Sequence, residues 1–217
     1  VRGRGNLARL RANLPRLREG TGKPLVLMTT LGGHNLATIE ATVAFARQEG
    51  ASGIIFERFV PMGTGRGFTG QTLDATGWHH ALATIAGLAG LDADPLGLCP
   101  YHAFWLSFSP GGGTSLTGAR CNLGDEAMAL MPDGTVYPCR RLPIEVACAF
   151  DQPVDVIRRR LRAWRPEALR PHLRGAVCGA CGIDDCTGCR ALARAVGGDL
   201  LGDDPLCPLA RGLTADA

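Results

Sequence analysis

Apolar residues open the chain at helical spacing, with Leu7, Leu10, Leu14 and Leu17, and then the period changes. Pro24-Leu25-Val26-Leu27-Met28 is a short continuous apolar run, the pattern of a parallel strand buried on both faces. Asn35 stands where a helix N-cap is expected, and Leu36, Ile39, Val43 and Ala46 follow at helical spacing up to Gly50. A second apolar run from Gly53 to Val60 stops at Pro61, and Trp78, Leu82, Ile85 and Ala89 mark the next helix. Strand, helix and strand with short connections predict a βαβ unit with parallel pairing and a right-handed crossover. Such a unit looks like part of a β/α (TIM-like) barrel and is too small to close one. Two buried parallel strands leave apolar edges that native chains do not tolerate, so further strands are expected from upstream or from another chain.

The pattern shifts near Pro110. Pro110-Gly111-Gly112-Gly113-Thr114-Ser115 reads as a linker, and eight of the nine cysteines lie beyond it. Ala127 to Met131, the turn Pro132-Asp133-Gly134 and Thr135-Val136-Tyr137 predict a β-hairpin whose far end delivers Cys139. Ile157, Leu161 and Trp164 restore helical spacing before a final run of cysteines from Cys178 to Cys207. The α/β chain is thus expected to divide into the C-terminal portion of a barrel over residues 1–112 and a small cysteine-rich domain, a hairpin with helices, over 113–217.

Composition narrows the class. With 46% apolar and 20% charged residues among 217, the chain can bury a core and is not expected to be disordered. A net charge of +3 is too small to argue for nucleic acid or an anionic membrane as partner. No apolar run nears the roughly 20 residues of a membrane span, and Val1 does not open a signal peptide. Nine cysteines beside ample Leu, Val, Ile and Ala point away from a disulfide-stapled secreted domain. Metal or cluster ligation in a reducing cytoplasm is the better reading.

Cysteine spacing carries the chemistry. Cys178-x2-Cys181-x4-Cys186-x2-Cys189 is followed by Cys207 after 17 intervening residues. A two-residue gap lets a turn bring two sulfurs and nearby backbone N–H groups to one side of a metal centre. Zinc ribbons usually separate their cysteine pairs by roughly 12 to 20 residues, so a gap of four fits thiolates dispersed among clusters better than one zinc. Upstream lies Cys121-x12-Gly134-x4-Cys139, where Gly134 supplies the positive φ of the hairpin turn. Cys99 and Cys148 fall outside this pattern and read as buried core residues.

The arrangement Cys-x(9 to 15)-Gly-x4-Cys, then Cys-x2-Cys-x5-Cys-x3-Cys, then a last Cys, resembles the SPASM signature of radical SAM enzymes. This sequence has x4 and x2 in the third and fourth intervals of that signature. The text around Cys178-Gly179-Ala180-Cys181, Cys186-Thr187-Gly188-Cys189-Arg190, Gly198-Asp199 and Asp204-Pro205-Leu206-Cys207 looks most like members acting on haem precursors and ribosomal peptides. The resemblance implies two auxiliary 4Fe-4S clusters, one held by Cys178, Cys181, Cys186 and Cys207, the other by Cys121, Cys139 and Cys189. Three thiolates would leave the second cluster an open iron, or a carboxylate ligand from Asp125 or Glu126.

The family's catalytic Cys-x3-Cys-x2-Cys motif does not occur in the sequence. By resemblance, Arg2 corresponds to an arginine that meets the carboxylate of S-adenosylmethionine, for which a bidentate guanidinium is well suited. Strand C-termini carry barrel active sites, here Thr29, Thr30, His34 and Asn35 after one strand and Arg58 to Met62 after the next. Asn35, Phe59 and Val60 are accordingly expected to contact S-adenosylmethionine, in competition with capping for Asn35 and with core packing for Phe59 and Val60. Gly63-Thr64-Gly65-Arg66-Gly67 lacks the ending of a phosphate loop, and the His79-His80 pair has no cysteine at ligand spacing. The arginines from Arg158 to Arg174 read as the solvated face of a helix.

The resemblance therefore implies a radical SAM oxidoreductase or maturase. Reductive cleavage of S-adenosylmethionine would produce a deoxyadenosyl radical that abstracts hydrogen from a peptide or tetrapyrrole, with the auxiliary clusters relaying electrons or anchoring substrate. An electron donor such as a ferredoxin or flavodoxin is the implied partner, and this chain alone is expected to be incomplete and inactive. Two alternatives stay open: a zinc-binding structural or interaction module, and a cluster-bearing electron-transfer subunit.

Overall fold

The computed structural model of the chain describes residues 3–211 apart from Ala93, Glu126, Asp184 and Asp185. Helix α1 (Asn6–Thr21) leads into β1 (Val26–Leu31), α2 (Ile39–Gln48) and β2 (Gly53–Arg58), which is the expected βαβ unit. β1 and β2 pair in parallel, Thr29 opposite Phe56. Helix α3 (Ala75–Leu88) is started by Asp74, whose side chain accepts a hydrogen bond from the backbone N–H of Gly77 at 2.8 Å. A 3-10 turn then delivers β3 (Tyr101–Phe108) and β4 (Thr114–Arg120).

These last two strands run antiparallel and complete an open sheet of order β1-β2-β3-β4. The β/α alternation of a barrel does not continue past α3. Pro110 to Gly113, read from sequence as a linker, is the turn of the β3–β4 hairpin, with Ser109 N–H bonded to Gly113 O at 2.9 Å. β1 also departs from the expected two-sided burial. Its pairing among the described strands is with β2 alone, and Met28 on its open face is 56% exposed.

Alternation along β2 and β3 shows why one face suffices. Ile54, Phe56, Phe104 and Leu106 point into the core, where Ile39, Val43 and Ala46 of α2 and Trp78, Leu82 and Ile85 of α3 cover them. Ile55 and Trp105 lie on the other, more exposed face. Of the leucine repeat in α1, Leu14 alone is buried, since this helix touches the body of the protein along a narrow stripe.

The cysteine-rich half grows from the same core. Leu123, Leu142, Leu169, Cys189, Leu192 and Leu206 join the cluster that holds Trp78 and Phe104. The predicted hairpin forms as β5 (Ala129–Leu130) and β6 (Thr135–Tyr137), with Gly134 at φ +83° and Asp133 accepting from the backbone N–H of Thr135 at 3.0 Å. β7 (Ala147–Cys148) adds a third strand, and Ile157 and Leu161 of α4 (Val154–Leu161) pack on its Val136 and Ala147 neighbours. The short α5 (Pro166–Leu169) and the terminal α6 (Arg190–Gly197) complete the half. Arg159 pairs one turn back with Asp155 on the solvated side of α4. No helix among the described residues is long and apolar enough to cross a membrane.

Trp78 is fully buried against Phe104 with ring centroids 6.2 Å apart. Trp78→Ala should lower the unfolding free energy by about 3–5 kcal/mol. Met28→Lys on the open face should stay within about 0.5 kcal/mol. Denaturant titration of both variants against the parent checks the contrast.

Candidate metal centres

All nine cysteines are free thiols. Eight of them gather at two places. Cys178, Cys181, Cys186 and Cys207 line one cavity together with Cys99, Arg58 and Asp204. Cys121, Cys139 and Cys189 line a second cavity of about 190 Å³ together with His102, Arg120, Arg141 and Arg190. The first space is closed down to about 10 Å³, which is room for about one water. Filling it with a cluster requires the thiols to spread, those of Cys181 and Cys186 at either end of their four-residue connection included. Arg170 clamps both ends of that connection through the carbonyls of Cys181 and Cys186. Among the described residues no three His, Cys, Asp or Glu side chains are set to hold a single metal ion.

Local backbone geometry prepares the sulfurs as acceptors. Cys139 Sγ accepts the N–H of Arg141, two residues onward, at 3.4 Å, and the backbone N–H groups of Leu123, Gly188 and Leu209 favour the thiolates of Cys121, Cys186 and Cys207 in the same way. Cys178 Sγ instead accepts from the N–H of Asp204 at 3.4 Å and from the Arg190 guanidinium at 3.6 Å. Such N–H···S bonds favour thiolate and tune any metal the sulfur binds. Gly188, at φ +62°, lets the chain pass so close to Asp204 that an added Cβ would lie 2.7 Å from the Asp204 Cβ.

Burial opposes ionisation until something compensates it. It pushes the Cys121 thiol up to about 11, outweighing the N–H of Leu123, and the Cys178 thiol up to about 11, outweighing the N–H of Asp204. Cys186 and Cys189 are raised for the same reason. Cys207 goes the other way, down to about 7, because the Cys99 thiol donates a hydrogen bond to it; Cys99 is raised in return. Metal binding would draw the protons off the raised thiols.

Between the two cavities lies buried charge. Arg58 Nη1 meets Asp204 Oδ2 at 2.7 Å, each side chain 2% exposed, and the Arg58 guanidinium sits 4.8 Å from the Trp78 ring centroid. The same carboxylate accepts the N–H of Cys189 at 2.7 Å and of Leu206 at 3.0 Å. Burial alone would raise the Asp204 pKa, but Arg58 beside it and the N–H groups of Cys189 and Leu206 keep it below the ordinary carboxylate value. His102 falls to about 3, first through burial and then through Arg58, so it is neutral. Arg190, the residue after Cys189, reaches back to Cys178 and donates to Leu200 O at 2.8 Å and Gly202 O at 2.7 Å. Fully buried ionised groups among the described residues are then Arg58 and Arg190 against Asp204, an excess of positive charge. The Nε atoms of Arg58, Arg141 and Arg190 are buried without a hydrogen-bond partner. A thiolate-ligated iron-sulfur cluster is a negative group that this surplus suits, so the donor chemistry of both thiol sets fits such a cofactor, while the four-thiol space would have to widen to take it.

The other expected site residues fare differently. Phe59 and Val60 line a pocket of about 280 Å³ with Thr30, Met62 and Arg141 at the C-terminal ends of β1 and β2. The Asn35 side chain is engaged locally, accepting from Gly32 N–H at 2.9 Å and donating to Thr30 O at 3.0 Å, and makes no helix cap. Arg2 lies outside the described residues. Of the two carboxylates expected near the three-thiol cavity, Asp125 is paired with Arg165 and Glu126 lies outside the described residues. Cys99 corrects the sequence reading: it is buried, as expected, but faces the four-thiol cavity rather than filling apolar core. Arg58 was named only for its place at a strand end, and His102 and Arg141 escaped the sequence.

Breaking the buried pair leaves Arg58 without its anion. Asp204→Asn should cost about 3–5 kcal/mol in the metal-free chain. Asp199→Asn, which removes an exposed partner of Arg174, should leave the unfolding midpoint close to the parent's. Guanidinium unfolding of the two variants tests this difference.

No family model matches the chain. It is 26% identical over 197 residues to an AdoMet-dependent heme synthase from Methanosarcina barkeri, a match covering 85% of this chain and 56% of that protein. The chain thus spans about half the length of the relative it matches, and it is distantly similar to an AdoMet-dependent enzyme.

Proposed function

We propose that this chain is the auxiliary-cluster region, with part of the barrel, of a radical SAM enzyme that modifies a peptide or a tetrapyrrole. The observation that carries the reading is the convergence of seven cysteines as a set of four and a set of three on either side of buried Arg190 and Asp204. The distant AdoMet-dependent relative supports the same reading. Clusters bound at the two sets would supply one-electron transfer during the reaction.

The chain's own residues have distinct roles in this account. Cys178, Cys181, Cys186 and Cys207 hold one cluster, and Cys121, Cys139 and Cys189 hold the other with one coordination position left over. Arg190 joins the two sites, since it follows Cys189 in sequence and donates to Cys178 Sγ at 3.6 Å. Arg58 and Arg141 hold positive charge beside the anionic cofactors. Phe59 and Val60, in the pocket beyond β1 and β2, contact S-adenosylmethionine. Next to that pocket a cavity of about 300 Å³ is lined by Arg66, Arg141 and Arg194. Three guanidinium groups there suit a substrate bearing carboxylates, which acidic peptides and tetrapyrroles share.

Anaerobic reconstitution followed by iron and acid-labile sulfide analysis tests the assignment. The expected content is about eight irons per chain, and at least about four for a single full cubane. Cys181→Ser should remove the iron of one site and Cys139→Ser that of the other, with complementary spectroscopic losses. Zinc without sulfide, or loss of the same signal in both variants, would show that these cysteines form something else.

A further inference from the structure

Cys99 lies outside the run of cysteines by which the centres were recognised, 22 residues ahead of Cys121, the two flanking the open end of the β3–β4 hairpin where Tyr101 pairs with Arg120. The fold nevertheless brings it into the four-thiol cavity. It caps the 3-10 turn before β3, its N–H bonded to Leu96 O at 3.1 Å, and this anchors the thiol beside Arg58 at the rim of the sheet. There it lines the same space as Cys178, Cys181, Cys186 and Cys207 and donates a hydrogen bond to Cys207. Cys207 is held separately, by a short turn in which its N–H bonds Asp204 O at 3.0 Å and its carbonyl accepts the N–H of Ala210 at 3.0 Å. Two thiols on independent supports therefore meet at one corner of the cavity.

Resting on the reading of this cavity as a cluster site, we propose that Cys99 is a fifth thiol of the centre, able to replace Cys207 as a ligand. In the exchange the bond from iron to Cys207 Sγ breaks and a bond from iron to Cys99 Sγ forms. The proton of Cys99 passes to the released Cys207 thiolate, which lines the same cavity. Charge at the site is unchanged, and no electron and no external reactant is needed. A centre so built keeps its ligand count when Cys207 is displaced, and the released Cys207 thiol stays hydrogen-bonded at the rim.

The test uses the chain reconstituted with iron and sulfide under anaerobic conditions, in four forms: parent, Cys99→Ala, Cys207→Ala and the double variant. Iron of the Cys121, Cys139 and Cys189 site is the internal control. Cys99→Ala and Cys207→Ala should each keep the parent's iron content, and the double variant should lose about half of it. Cys207→Ala should also show no change in its electron paramagnetic resonance spectrum on addition of cyanide, because a thiolate closes the coordination sphere. Loss of that half in Cys207→Ala alone overturns the proposal, as does a cyanide-induced shift in that variant, which would report an open iron. Absence of iron and sulfide from the parent would instead overturn the cluster reading itself.

Discussion

A guanidinium and a carboxylate, taken out of water together, hold the two halves of this protein in register. Arg58 ends β2, and Asp204 lies in the last described segment, yet their 2.7 Å contact is almost wholly inaccessible. Removing both ions from water is expensive, and the pair persists because its remaining valences are filled. Arg58 also donates to Tyr101 O at 3.0 Å and lies over Trp78, and Asp204 gathers the N–H groups of Cys189 and Leu206. One ion pair thus fixes the end of β2, the start of β3, and the loops that carry Cys178, Cys189 and Cys207.

This explains features of the sequence that spacing alone left without a reason. Gly188 sits between Cys186 and Cys189 because Asp204 comes too close for a side chain there. Arg190 follows Cys189 because its guanidinium must reach both the Cys178 sulfur and the carbonyls of Leu200 and Gly202. Asp203, beside Asp204, accepts the N–H groups of Val177 at 3.0 Å and Cys178 at 2.7 Å, so successive carboxylates orient the first thiol and the ion pair.

What the sequence made legible and what it hid follow from the range of the interactions. The β1–α2–β2 unit and the β5–β6 hairpin are local, and apolar period and turn chemistry at Gly134 identified them. Cysteine spacing identified the thiols for the same reason, since Cys-x2-Cys is a property of a single turn. β3 and β4 went unread because their alternation is broken by Gly118 and by polar residues on an exposed strand, and their glycine-rich turn resembles a linker. Cys99 and Arg58 depend on contacts across the chain, Arg58 to Asp204 and Cys99 to Cys207, which no local pattern announces. Two-sided burial of β1 was the expectation of a complete barrel, and the open sheet leaves that strand's outer face to solvent.

The electrostatic asymmetry of the interior is the point on which the functional account stands. Two buried arginines face one buried carboxylate between thiol-lined cavities, and three guanidinium Nε atoms there lack partners. Anionic clusters bound in the two cavities would resolve that imbalance. Diffraction from crystals of the anaerobically reconstituted chain, recorded at the iron absorption edge, tests this most directly. The account predicts two anomalous peaks, one among Cys178, Cys181, Cys186 and Cys207 and one among Cys121, Cys139 and Cys189; a single peak at neither set, or a signal at the zinc edge alone, would contradict it.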